Sequence, residues 1–334
     1  INILLEVFKL GLNPCIFCIG QPDISPFEGQ LSDSFKDWLK SNINKSLSKY
    51  SKKEKSLKLW HLNGAQNTYS EKQYLLTFHE LDSITKEENN ILKNQEHVFV
   101  TNNFTKDNFN LYGAENCSVI PLGLDSIFFN KLSKPAYDDP SIITFGVFAK
   151  YEKRKHTDIV VKTLCKLYGN NMKYRVHCQI FNPFLGRNPQ EIEQNNKGLW
   201  HQLTEGNKYA NVISYEYTKT LREYNDLLNS CDVVVDGGLN EGWSFPSATC
   251  CALGKHCIAS STMGTAMWAN SENSVILKPN GKEPCYDGMF FSPGQPFNQS
   301  NIFSFNPSDV ENAVRFAQER VRKNRLKASG PKLQ

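Results

Sequence analysis

The sequence predicts an α/β protein built from two parallel-sheet domains that face each other across a cleft. Three observations predict it. Short apolar runs alternate with stretches of helical spacing through both halves of the chain, the pattern of repeated β-α-β units. A prolyl, acidic stretch holding Lys134-Pro135 and Asp139-Pro140 separates the halves, as linkers do. The segment Cys231 to Ser260, CDVVVDGGLNEGWSFPSATCCALGKHCIAS, reads strand, polar loop, helix, strand. In an open parallel sheet, a loop at the carboxyl end of a strand is where ligands sit, and a helix N-terminus behind it attracts phosphate. The expected division is 1–139 for a first domain, 140–307 for a second, and 308–334 for a terminal helix that crosses back to the first.

With 334 residues the chain can bury two cores of ordinary size. No run of about 18 apolar residues occurs, so no transmembrane helix is expected. The net charge of +4 is too mild to announce nucleic acid by itself. Cys165, Cys178, Cys231, Cys250, Cys251 and Cys257 fall inside apolar helix or strand patterns, where a free thiol acts as a small hydrophobe; this points to a reducing, cytoplasmic setting. Cys15 and Cys18 form a lone CxxC without a second ligand pair and are read as buried strand residues rather than a metal site.

Ile3 to Leu12 has helical spacing, and Cys15 to Gly20 reads as a strand. A doubly wound domain normally opens on a strand and a glycine-rich turn; that piece is expected to be missing or removed ahead of Ile1, which is not a methionine. Residues 21–58 are polar and lysine-rich, with a helix around Phe35 to Ile43. They form either a solvated face or a surface for an acidic acceptor, Trp38 and Tyr50 being available for stacking. Leu57 to Leu62 and Tyr74 to Phe78 are core strands. The second runs into His79 and Glu80, a site candidate because it lies at a strand's carboxyl end. A helix follows from Thr85, with Glu87 and Glu88 in its first turn. His97 to Thr101 is a strand, Thr105 to Tyr112 a helix, and Val119 to Asp125 leads out through Phe128 and Phe129 to the linker.

The second half restarts with a strand, Ile142 to Val147, a basic loop, Lys150 to His156, and a helix, Asp158 to Tyr168. Tyr174 to Phe181 is a strand, 182–209 a long, partly helical polar connection, Val212 to Tyr215 a strand and Lys219 to Asn229 a helix. Val233 to Val235 then forms a strand of the kind buried on both faces. Its loop carries Glu241, Gly242 and Trp243 ahead of a helix beginning near Pro246, which Ser244 or Ser247 could cap. His256 to Ala259 and Ser274 to Leu277 are the last strands, followed by a Gly/Pro-rich loop from Pro279 to Phe297. A charged helix runs from Ser308, spaced from Glu311 as a capping box, to about Leu326.

In order and spacing these segments resemble the retaining glycosyltransferases of family four. The resemblance covers most of the chain: Thr77-Phe78-His79-Glu80 with Glu87-Glu88, Val100 to Phe104 with Gly113, Val119 to Asp125 with Phe129, Phe145-Gly146 with Arg154-Lys155-His156, and Glu241 to Pro246 with Ala252, Gly254 and Ile258 to Ser260. It implies the GT-B fold and transfer of a sugar from a nucleotide-sugar, UDP- or GDP-linked, to a hydroxyl acceptor. It implies neither a metal nor another cofactor. Glu241, His79 and Glu80 take the places implied for catalysis; Gly146, Arg154, Lys155, Gly242, Trp243, Ser244, Phe245 and Thr249 take those implied for donor binding. The family's second glutamate falls at 249, where this chain has Thr249, and Val147 follows Gly146 where an arginine is usual. A leaving diphosphate needs cations and backbone N–H groups, which Arg154, Lys155 and the helix from Pro246 could supply. The acceptor is a glycan, a lipid or a modified polymer; hydroxymethylated DNA, contacted through residues 36–58, is one alternative, and a GT-B module that binds a nucleotide-sugar without turnover is another.

Overall fold

The structure, a computed structural model, describes residues 1–125 and 141–325. The expected domain boundary at 139/140 lies outside them, as do Phe128, Phe129 and Leu326. Strands β1 (Lys55–Leu59), β2 (Lys72–Leu76), β3 (His97–Val100) and β4 (Cys117–Val119) form a first, four-stranded parallel sheet in the order β1-β2-β3-β4. The second sheet has six parallel strands: β5 (Ile143–Ala149), β6 (Tyr174–Ile180), β7 (Val212–Ser214), β8 (Val233–Val235), β9 (His256–Ser260) and β10 (Val275–Leu277). They lie in the order β10-β9-β8-β5-β6-β7. Read from β7, that is the doubly wound order, and its direction reverses between β5 and β8.

The apolar runs explain the second sheet. Val233, Val234 and Val235 are all buried, because helices cover both faces. On one face Phe145, Val147, Val176 and Cys178 pack with α5 (Thr157–Tyr168) and α9 (Pro307–Lys323). On the other, Phe148, Cys231 and Val234 pack with α8 (Phe245–Ala252). The six cysteines expected inside are buried. In the first domain Thr85 caps α3 (Lys86–Lys93) in a full capping box with Glu88. No helix of the described residues is long and apolar enough to cross a membrane.

Four expectations change. Residues Cys15 to Ile19 pair with no strand; Ile16 N–H instead donates to Asn42 O (3.1 Å) on α2 (Asp33–Ser46), and Cys18 is exposed. Trp38 is not free to stack on a ligand: its ring lies against Phe8 and Phe35, and its Nε1–H donates to Leu12 O at 3.0 Å. Over its described length the terminal helix does not cross back. Val310, Val314, Ala317 and Val321 form an apolar stripe that matches α5, so α9 stays on the second sheet. It also starts earlier than the Ser308 box: Asn306 is the N-cap, and Asp309 accepts its N–H at 3.0 Å.

The Gly/Pro-rich loop hides a hairpin, β11 (Gly281–Pro284) with β12 (Asn301–Ser304), that straps the second domain to the first. Lys282 Nζ meets Asp82 Oδ2 at 2.8 Å, Asn298 N–H donates to Glu88 at 3.0 Å, and Leu81 is buried with Cys285, Phe291 and Ile302.

Gly146 lies inside β5, packed against its neighbours. A methyl group there would stand 2.5 Å from the Phe148 ring and 2.6 Å from Cys231 Sγ. Gly146→Ala is therefore expected to lower the unfolding free energy by about 1–3 kcal/mol through overpacking, seen as a lower urea midpoint at unchanged slope.

Candidate active site

The crevice at the strand reversal is made by the loops after β5 and β8. After β5 the chain makes a short 3-10 turn, Lys153–Lys155; after β8, residues 236–244 lead to α8. The carboxyl end of β2 faces them from the first domain, and the two sides touch closely. Thr101 Oγ1 donates to Gly242 O at 2.6 Å, and Asn240 Nδ2 donates to Glu80 O at 2.8 Å. Gly242 is there for space: a methyl group on it would stand 2.7 Å from the Phe78 ring.

Charge is concentrated at this contact. Arg154, only 9% exposed, reaches three carboxylates: Glu152 at 2.8 Å, Glu80 at 3.1 Å and Glu241 at 3.4 Å. Its Nη1 also donates to Asn240 O at 2.8 Å. Burial opposes its charge, yet the three carboxylates outweigh burial and raise its pKa further. Lys155 Nζ lies 2.5 Å from Glu241 Oε1. Glu241 is 4% exposed; burial alone would raise its pKa, but Lys155 and then Arg154 bring it below the ordinary carboxylate value, so it is ionised at neutral pH.

The other site candidates are distributed unevenly. Glu80 joins the cluster through Arg154. His79 is buried, with Nε2 3.1 Å from Ser83 O and its ring tilted against Phe109. Trp243 belongs to the core beside Trp268, whose Nε1–H donates to Trp243 O at 3.0 Å. Phe245 is 50% exposed at the first position of α8, whereas Thr249, about one turn further along the helix, is 1% exposed. Ser244 does not cap α8 with its side chain; its hydroxyl and that of Ser247 turn to Asp236. Asp236, Glu152 and Asn240 belong to the site and were not singled out from sequence. Asp236 stood in what reads as a glycine turn, and Glu152 was masked by the basic residues around it.

No family model matches the chain, and no curated protein sequence matches it. Solved structures do. Anabaena HepE, solved in complex with UDP and glucose, is 16% identical with a TM-score of 0.52, over 78% of this chain and 65% of that one. Sucrose-phosphate synthase from Thermosynechococcus elongatus is 13% identical with a TM-score of 0.56, over 87% of this chain and 70% of that one. A glycosyltransferase from Rickettsia africae is 13% identical with a TM-score of 0.54, over 96% of this chain and 78% of that one. The chain has the two-domain GT-B fold of these glycosyltransferases. It spans 65% of the length of the HepE chain.

Two outcomes follow from the geometry. Arg154→Met leaves three carboxylates facing one another and is expected to cost about 3–5 kcal/mol of stability, because a buried charge loses its partner. Arg154→Lys should recover only part of this, since a single ammonium cannot reach in three directions; urea unfolding of both variants measures it. The second concerns acid. Burial lowers the His79 pKa despite the pull of Glu88, Ser83 O, Glu80 and Asp82. A depressed folded pKa means the unfolded chain binds the proton more readily, so the contribution is full above the unfolded value of about 6.5 and is lost as pH falls through the folded value. The unfolding free energy should decline below about pH 6.5, and less steeply in His79→Gln.

Proposed function

We propose that the chain moves a sugar from a nucleotide-sugar donor to a hydroxyl acceptor with retention at the anomeric carbon. The observation that carries this is the ionised Lys155–Glu241 pair, seated between the loops of β5 and β8 where the sheet reverses, ahead of α8 and opposite Glu80 of the other domain. Ligands of doubly wound sheets sit at such a reversal. A departing diphosphate needs positive charge on its leaving oxygen. Lys155 can turn to it; Arg154 is committed to three carboxylates and instead holds Glu241 and Glu80 in place. When a diphosphate draws Lys155 away, Glu241 is left free to accept hydroxyl hydrogen bonds from the sugar. The N–H groups that open α8 add further positive potential, so the transfer assigns no metal to this charge. His79 and Glu80 border the acceptor side. Trp243, with its ring in the core, offers only its backbone.

UDP-glucose is the first donor to test, because HepE was solved with UDP and glucose; a GDP-sugar is the next. No disulfide joins the ten cysteines, which fits a reducing compartment such as the cytoplasm. The acceptor is a glycan, a lipid or a modified polymer. The alternative, a nucleotide-sugar-binding module without turnover, is favoured by Thr249, which stands where the resembled family has its second glutamate and is covered.

Donor hydrolysis without acceptor separates the two. Wild type should release UDP from UDP-glucose slowly, and Glu241→Ala should do so about a hundredfold more slowly, the scale for losing one polar contact to the reacting centre, while still binding UDP. If both proteins bind the nucleotide-sugar and neither consumes any, the module is the answer.

A further inference from the structure

The loop that presents Glu241 is tied from behind by a second carboxylate. Asp236 follows β8 directly, and its side chain turns back across the loop: Oδ1 accepts the Gly238 N–H at 2.8 Å, and Oδ2 accepts the hydroxyls of Ser247, at 2.9 Å, and Ser244. Those hydroxyls also meet each other at 2.7 Å. Asp236, Ser244 and Ser247 thus close a triangle that joins the start of the loop, its end and the first turn of α8.

Ser244 needs such a tie. Its backbone is left-handed, with φ +60° and ψ +78°, a conformation that costs a residue with a Cβ about 1–2 kcal/mol. Strain of this kind persists only where the surroundings enforce it. The side chain that could offset it by capping the helix makes no cap bond; its hydroxyl goes to Asp236. The tie also reaches Glu241. A methyl group on Gly238 would stand 2.5 Å from Glu241 Oε1 and 3.0 Å from Asp236 Oδ1, so the two carboxylates are separated by little more than one glycine. Burial first, and then the neighbouring Glu241 charge, raise the Asp236 pKa. Two acids this close repel, so their placement has to be maintained by specific contacts.

We propose that Asp236 is a positioning residue: by holding Ser244 in the left-handed form it sets the corner Glu241-Gly242-Trp243 against the cleft, and so the distance from Glu241 to the donor sugar. Without Asp236, Ser244 relaxes to an ordinary φ, and the backbone rotation moves Glu241 relative to Lys155. The effect on transfer rests on the donor reaction proposed above; the tie itself does not.

Two measurements on wild type, Asp236→Ala, Asp236→Asn, Ser244→Gly and the double variant Asp236→Ala with Ser244→Gly test this. The first is amide hydrogen exchange across 237–244. Asp236→Ala should speed exchange there, Asp236→Asn should speed it less because its single amide oxygen still accepts the hydroxyls although the Gly238 N–H loses its acceptor, and adding Asp236→Ala to Ser244→Gly should change little, since glycine adopts the left-handed form unaided. The second is UDP-glucose hydrolysis. Asp236→Ala should lower kcat about 10- to 100-fold, the range for a misplaced catalytic group, with a much smaller change in KM, and the loss should be about tenfold smaller in the Ser244→Gly background. Equal losses in both backgrounds, or unchanged exchange in Asp236→Ala, overturn the role of Asp236. A wild type that consumes no nucleotide-sugar overturns the transfer reaction instead and leaves the exchange measurement to decide on Asp236.

Discussion

A guanidinium can be taken out of water only where anions follow it, and in this chain they follow Arg154 from three separate segments. Glu152 comes from its own loop, Glu241 from the loop after β8, and Glu80 from the other domain. Each carboxylate is tolerable there because of Arg154, and Arg154 because of them. The cluster therefore fixes more than a local geometry. It sets the register of the two loops at the strand reversal and joins the second domain to the carboxyl end of β2. The contacts from Thr101 to Gly242 and from Asn240 to Glu80, together with the β11–β12 strap, secure the same interface by other means. In the proposed reaction the pair left to act on a ligand is Lys155 with Glu241, whose members a competing anion would part.

Much of the fold was legible because parallel sheets write themselves into sequence. Strands covered by helices on both faces need apolar runs, and Val233 to Val235 and Ile142 to Val147 read as such strands by their shortness and β-branched content. The Thr85 helix start was legible from local chemistry, the acidic first turn of Glu87 and Glu88, to which the structure adds a capping box. What failed was non-local. Cys15 to Ile19 has the composition of a strand but finds no strand beside it. The β11–β12 hairpin is short, rich in breakers and stabilised by the other domain, so its own residues give little sign of it. The terminal helix carries a clear apolar stripe, but a stripe does not name its partner, and α5 supplied the match.

The site divides along the same line. Glu241 and Lys155 could be anticipated as neighbours because the loops that carry them follow strands that lie side by side at a reversal. The commitment of Arg154 could not, because KRK reads as spare positive charge until two acids from distant positions, Glu80 and Glu241, join the neighbouring Glu152 on it. Asp236 was overlooked for a related reason: beside two glycines it looks like a turn residue, and only the left-handed Ser244 shows what it holds.

The central claim is that the crevice between β5 and β8 receives a nucleoside diphosphate through Lys155. Calorimetric titration of UDP into wild type and Lys155→Met tests it directly, Arg154 being intact in both. A charged hydrogen bond lost from the ligand should weaken binding by roughly 10- to 100-fold, equivalent to about 1.5–3 kcal/mol. Equal affinity in the two proteins, or no binding by wild type, would contradict the account.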